Sequence, residues 1–346
     1  MKTSLVAVRD LPQDLVEEWV RAHAANPELR SPCFRPELFR AVANHFDDVY
    51  VGLLDDGTQR GFLPFLRASG GMPSAMPVPL CDYQAVIAPA PGRWDVREFL
   101  AEGRLLTWEF EHLVGADQIT LAPAWMEARQ SPRICLDHGL EGYWADLRAR
   151  NVSLKNLLNK RRLAERDHGP LRLVPHVSDA SVLTSLLKWK EERFNAGQPL
   201  PKGVRGVLEQ LIAESSPDFT ALLSGLYAGD ALVAAHFGIR SQGVMHYWFP
   251  AFNPAFGKYT PGWLLVYELI RNAGALGYDV LDFGPGGEAY KWYFNNRTIP
   301  IAHGAFELRT FRTMARKARR DLLTAVRKSK WIYDGLAPIR RMIRKG

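Results

Sequence analysis

The sequence predicts an α/β protein made of two similar domains. One order of elements (strand, two helices, hairpin, strand, helix, strand) is read twice, about 170 residues apart, a longer interval than solenoid repeats use. Each reading holds a hairpin signal between strand-forming runs: Asp55-Asp56-Gly57 in the first, Ala228-Gly229-Asp230 in the second. The 346 residues suffice for two ordinary domains, and 47% apolar with 23% charged content fits a globular chain with a real core.

In the first half, Leu5-Val6-Ala7-Val8 reads as a strand, followed by Asp10 and a helix through Leu15, Trp19 and His23. A short helix over 37–46 and a hairpin of 49–54 with 61–66 come next. A strand over 81–87, a helix over 94–114 and a strand over 118–121 complete this half. Ser153 then caps a linking helix over 153–166, whose Leu154, Leu157, Leu158 and Leu163 lie opposite its basic residues. Asp167-His168-Gly169-Pro170 stops it.

The second half repeats the pattern. Leu171-Arg172-Leu173-Val174 is a strand, and Ser178-Asp179 cap a helix through Leu183, Leu187 and Trp189. A helix over 204–214, hairpin strands over 221–227 and 232–239, a strand over 244–249, a helix over 262–276 and a strand over 280–283 follow. The expected division is an N-terminal domain 1–150, a C-terminal domain 151–308 with the donor site, and a basic helical tail 309–346.

Composition removes several classes. No apolar run approaches the ~20 residues of a membrane span. The apolar run before Arg9-Asp10 is too short for a secretory signal, so a cytoplasmic location is expected. Cys33, Cys81 and Cys135 are odd in number and widely spaced, which supports neither a disulfide framework nor a zinc site. No metal is expected. The net charge of +7 sits in the tail: from Arg309 onward thirteen basic and two acidic residues give +11, leaving −4 for the first 308 residues. DNA binding by the body is therefore not expected.

The densest segment is 245–294. It reads strand (Met245-His246-Tyr247-Trp248-Phe249), Pro-Gly turn and helix (Tyr259-Thr260-Pro261-Gly262-Trp263-Leu264-Leu265), strand (Val280-Leu281-Asp282-Phe283) and Gly-rich turn, then Tyr290-Lys291. A helix opening on a Gly turn beside a strand presents unpaired N–H groups, which suit a phosphate-bearing donor. Gly286 and Gly287 form no GxGxxG pattern, so no nicotinamide site is read.

Asp82-Tyr83-Gln84, the basic helix 153–166, the Tyr259–Leu265 run, Asp282-Phe283-Gly284 and Glu288-Ala289-Tyr290-Lys291 together resemble a known family. They are similar to GNAT-superfamily acyltransferases of the CelD-like or BioF2-like acetyltransferase group, with the GNAT domain in tandem as in Fem-type transferases. The resemblance covers roughly residues 5 to 308. It implies two GNAT-like domains, each a mixed, mostly antiparallel sheet flanked by helices. It also implies transfer of an acyl group from acetyl-CoA or another acyl-CoA to an amine or hydroxyl. The acceptor would be a sugar or a cell-envelope or exopolysaccharide precursor. The usual GNAT pyrophosphate signature is absent, and Tyr259-Thr260-Pro261-Gly262 stands in its place.

The candidate residues follow from acyl-transfer chemistry, which needs an aligned acceptor, a proton acceptor, an oxyanion donor and a thiolate acid. His246 or Tyr247 faces the cleft, because strand neighbours face opposite sides; the alternative for each is packing. Asp282 takes a proton or orients a hydroxyl, or else caps its turn. Tyr290 protonates a thiolate, and Lys291 holds a phosphate or carboxylate; alternatively Tyr290 is core and Lys291 surface. Thr260, Pro261, Gly262, Trp263 and Leu264 are the expected donor-binding residues, Gly262 through its bare backbone and Thr260 also as a cap. Asp82 and Tyr83 line the acceptor side. Lys160, Arg161 and Arg162 bind an anionic group or form a solvated face. The basic tail, with Leu322, Leu323, Val326, Trp331, Ile332 and Ile343, lies on an anionic membrane, packs on the body or recruits a partner. A Fem-like aminoacyl-tRNA-dependent transferase and a degenerate scaffold are the competing readings.

Overall fold

A computed structural model describes residues 2–68, 72–150, 152–194, 198–315 and 318. The first half contains β1 (Lys2–Ala7), α1 (Gln13–Ala25), α2 (Pro36–His45), β2 (Val49–Asp55), β3 (Arg60–Ala68), β4 (Ser74–Met76), α3 (Val96–Glu102), β5 (Thr107–Leu113), β6 (Trp125–Cys135) and α4 (Gly139–Ala149). After α5 (Lys155–His168) come β7 (Leu171–Val174), α6 (Ala180–Phe194), α7 (Val204–Ala213), β8 (Thr220–Ala228), β9 (Ala231–Ser241) and β10 (Val244–Phe252). The chain continues through α8 (Pro261–Arg271), α9 (Ala273–Leu276), β11 (Val280–Asp282), α10 (Ala289–Phe294) and β12 (Arg297–Glu307). The expected tail falls outside the described residues except for 309–315 and 318. Among the described residues no helix is long and apolar enough to cross a membrane.

All twelve strands named here belong to one sheet, ordered β1-β2-β3-β4-β5-β12-β6-β11-β10-β9-β8-β7. The duplication read from the sequence is visible in its pairing. In the first half β1 to β4 pair antiparallel and β4 meets β5 in parallel. In the second, β7 to β10 pair antiparallel and β10 meets β11 in parallel. The last strands are exchanged: β6 of the first half pairs with β11, while β12 of the second pairs with β5 and β6. A cut at residue 150 therefore separates β6 from the partners that complete its hydrogen bonds.

The core is likewise shared. One buried cluster joins Trp19, Phe39 and Val42 of α1 and α2 to Leu183, Leu186 and Val207 of α6 and α7, and to Phe237 of β9. Trp19 stacks on Phe62 at 5.2 Å and donates its indole N–H to the Phe34 carbonyl at 2.9 Å, so a large apolar ring is buried without an unpaired donor. Separate clusters lie under α3 and under α8.

Several boundaries differ from the sequence reading. The helix expected over 94–114 ends at Glu102, and Thr107–Leu113 is β5. In that stretch the aromatic pair Trp108 and Phe110 is buried while Glu111 is exposed, a two-residue alternation that favours a strand. Residues 81–87 form no named strand; their backbone joins the sheet at the isolated bridges Gln84 to Leu113 and Ile87 to Phe62. Of the strand expected over 118–121, Gln118 ends a 3-10 turn begun at Ala116, and Ile119 makes an isolated parallel bridge to Trp94. The short β4 and the exchanged strands β6 and β12 were not read from the sequence. Leu154 stands at the N-cap position of α5, one residue past the expected Ser153, whose hydroxyl still accepts the Lys155 N–H at 3.4 Å.

Candidate active site

The site begins where β10 and β11 part. They pair in parallel only from Val244 to His246 opposite Val280 to Asp282. On the other side of β10, the register with β9 shifts between His246 and Phe249, a β-bulge. Among the described residues no strand pairs with β10 on the β11 side beyond His246. That opening leads into a cavity of about 350 Å³ lined by Tyr247, Phe252, Gly257, Thr260, Gly262, Trp263, Glu288 and Tyr290, among others. Its size and mostly apolar wall suit a small-molecule ligand with a few polar fixing points.

The roof is the turn into α8. A 3-10 turn, Pro254–Tyr259, begins at Asn253, whose side chain accepts the Ala255 N–H at 3.1 Å. Thr260 then adopts φ 55°, ψ 51°, the left-handed region that a residue with a Cβ enters at a cost of about 1–2 kcal/mol. Its carbonyl accepts the N–H groups of Trp263 and Leu264 at 3.0 and 3.2 Å. Pro261 has no N–H, and the Gly262 N–H lies in the first turn, where no intrahelical acceptor exists. A Cβ built on Gly262 meets nothing nearer than Phe252 at 3.4 Å, and one on Gly257 meets nothing within 4 Å. The backbone at both glycines is thus open. The side chain of Thr260 does not cap α8, contrary to the sequence reading.

α5 braces this roof. Lys160 donates to the Lys258 carbonyl at 2.7 Å, and Tyr259 donates to Asp167 at 2.8 Å. Arg161 lies 3.3 Å from Glu268 of α8 and 3.3 Å from Glu165. Lys160 and Arg161 are therefore committed to protein partners, while Arg162 is exposed. Of the expected donor-binding residues, Thr260, Gly262 and Trp263 line the cavity, whereas Pro261 and Leu264 are buried behind it.

Strand alternation separates the two candidates on β10. Tyr247 faces the cavity and His246 the opposite face, where the first half meets it. His246 is 0% exposed and lies 2.8 Å from Asp82, whose side chain is 37% exposed. Asp282 is buried too: it accepts from Tyr83 at 2.7 Å, from the Gly284 N–H at 2.9 Å and from Arg133 at 3.0 Å. The Tyr83 hydroxyl also pairs with Ser131 at 2.6 Å. Asp82, Tyr83 and Arg133 come from the first half, His246 and Asp282 from the second, so the junction is sewn by a buried polar network. Asp282, with its oxygens engaged and no exposure, is placed as an organiser of that network.

The Gly-rich turn closes the site. Gly284 has φ 66°, and a Cβ there would sit 2.8 Å from Asp82 and 3.1 Å from His246. At Gly286, φ 140°, a Cβ would sit 2.2 Å from Glu288 and 2.8 Å from Lys291. Lys291 is only 7% exposed; it donates to the Pro285 carbonyl at 2.8 Å and pairs with Glu288 at 3.2 Å. Burial raises the pKa of both Tyr247 and Tyr290, which keeps each a hydroxyl donor at neutral pH. Gly257 and Arg133 were not singled out from the sequence, Arg133 lying in the unread β6, and Glu288 entered only within the Glu288–Lys291 run, without a role of its own.

Residues 151–292 match the family model described as an acetyltransferase (GNAT) domain. Among solved structures, FemX aligns at TM-score 0.53 and 11% identity, over 91% of this chain and 99% of that one. The C-terminal DUF2156 domain of an Agrobacterium fabrum protein assigned as a lysylphosphatidylglycerol synthetase aligns at TM-score 0.51 and 13% identity, over 90% and 96%. A conserved protein of unknown function from Bacteroides thetaiotaomicron aligns at TM-score 0.51 and 12% identity, over 89% and 100%. No curated protein matches the chain. Residues 151–292 thus match a GNAT domain, the chain shares its fold with FemX and the DUF2156 domain, and the cavity lies within the matched segment.

Proposed function

We propose that this chain transfers an acyl group from acyl-CoA to an amine or hydroxyl of a saccharide or cell-envelope precursor. The observation that carries this reading is the cavity in the parting of β10 and β11, roofed by the open turn at Gly257 to Gly262. The Gly262 N–H and the dipole of α8 favour a pyrophosphate there, and the apolar wall accepts a thioester arm. A backbone N–H of β10 beyond His246, where the pairing with β11 has ended, serves the oxyanion. Tyr290, held protonated by burial, gives a proton to the leaving thiolate. Asp82, whose side chain is 37% exposed where the two halves meet, marks the acceptor side.

Lys160, the residue of the basic helix nearest the donor turn, contributes by fixing that turn, and Arg162 is left to meet an anionic group. Phe311 and Met314 are 88% and 63% exposed at the root of the basic tail, which supports docking of that end on an anionic membrane surface.

The test is a product search. The protein is incubated with acetyl-CoA and a panel of amino sugars and hydroxyl-bearing saccharides, and acylated products are sought by mass spectrometry. An acylated saccharide formed only with protein supports the reading. Transfer from a charged tRNA, with none from any acyl-CoA, would replace it with the Fem-like donor.

A further inference from the structure

Within the proposed transferase reading, we propose that Glu288 is the carboxylate that takes the acceptor's proton and that Lys291 is its positioning residue. Glu288 is the acidic side chain among the cavity-lining residues; the ionisable groups beside it there, Tyr247 and Tyr290, are held protonated by burial. Its carboxylate is 46% exposed, so a substrate can reach it, while its partner Lys291 is 8% exposed, 3.2 Å away and anchored to the Pro285 carbonyl.

The turn is shaped around this pair. Gly286 takes φ 140°, and any Cβ there would collide with both Glu288 and Lys291. Glu288 also stands directly before α10, whose Tyr290 lies against Tyr247 with ring centroids 6.0 Å apart. The base, the acid and the bulged strand thus face one space. By contrast Asp282 has spent its oxygens on Tyr83, Arg133 and Gly284, and His246 turns to the other face. Neither reaches the cavity.

The step balances. The acceptor lone pair forms a bond to the thioester carbon while its N–H or O–H proton passes to Glu288. The carbon–sulfur bond then breaks, and the thiolate takes a proton from Tyr290. The proton on Glu288 restores the tyrosine, so both side chains return to their starting states.

The test needs no knowledge of the acceptor. Release of CoA from acetyl-CoA is followed by chromatography with two probe nucleophiles: water, too weak a nucleophile to attack without a base, and hydroxylamine, a strong nucleophile that attacks thioesters as the neutral amine without one. Binding of acetyl-CoA is measured in parallel by calorimetry. Glu288→Gln should slow hydrolysis about 100-fold or more, slow the hydroxylamine reaction less than about tenfold, and still bind acetyl-CoA. Lys291→Met should slow hydrolysis similarly, with little further loss in the double variant, because the two act as one unit. Equal loss with both nucleophiles, hydrolysis by Glu288→Gln at the wild-type rate, or no acceleration by wild-type protein that binds acetyl-CoA would each overturn the proposal. Wild-type protein that does not bind acetyl-CoA removes the donor reading itself, a distinct result.

Discussion

The Asp82 carboxylate of the first half lies 2.8 Å from the His246 imidazole of the second, across 164 positions of sequence. Burial pulls His246 toward its neutral form, but the nearby Cys33 and the Asp82 hydrogen bond and charge outweigh it, and its pKa stands well above the usual value. For Asp82, burial opposes ionisation, and the His246 hydrogen bond and charge overcome it, so its pKa is lowered. This contact ties the halves together in a charge-dependent way.

A raised histidine pKa gives stability that is complete below its ordinary value of ~6.5 and fades as pH rises through the folded value. A lowered aspartate pKa gives stability that is complete above ~3.9 and fades as pH falls through the folded value. Asp82→Asn should therefore cost most between about pH 4 and 6.5 and least at alkaline pH. Denaturant unfolding of both proteins across pH checks this; a difference independent of pH would contradict the pairing.

Asp282 should behave as structure. Removing its charge leaves Arg133, 19% exposed, and the buried Tyr83 hydroxyl without their shared partner. Breaking such a pair typically costs about 3–5 kcal/mol. Asp282→Ala is expected to lower the urea midpoint strongly, whereas Tyr83→Phe, which removes the hydroxyl's contacts to Asp282 and Ser131 and leaves Asp282 paired with Arg133, should cost less, about 1–3 kcal/mol. An Asp282→Ala protein of wild-type stability would remove this role.

Neither half should fold alone. A fragment ending at residue 150 lacks β12, which lies between β5 and β6, and lacks Leu183, Leu186 and Val207 from the shared core. It should give little amide protection in hydrogen exchange, while the two fragments co-expressed should recover it. A protected, cooperatively unfolding 1–150 fragment would refute this.

The duplication was legible because its signals are local: Asp-Gly and Gly-Asp turns, capped helices and alternating strands repeat within each half. The exchange of β6 and β12 was not, since strand order depends on long-range pairing that no local pattern encodes. In the site, the glycine turn at Gly262 and the Tyr247 and Tyr290 pair were readable from their place after strands. The choice between His246 and Tyr247 required the actual pleat. For Asp282 the sequence left a role toward the acceptor and capping of its turn both open; the Gly284 N–H bond is the cap, while Tyr83 and Arg133, which also occupy its oxygens, could not be read. Glu288 had no role of its own in the sequence because its significance comes from a buried lysine three residues on and from space left by Gly286.

The central claim is that the open turn at Gly262 holds an acyl-CoA. Calorimetric titration of wild type and Gly262→Trp with acetyl-CoA, longer acyl-CoAs and free CoA tests it most directly. The cavity geometry predicts micromolar binding by wild type that is lost in the variant, with both unfolding at similar temperatures, since only Phe252 stands near a Cβ there. Binding that survives in Gly262→Trp, or wild-type protein that binds no CoA species, would contradict it.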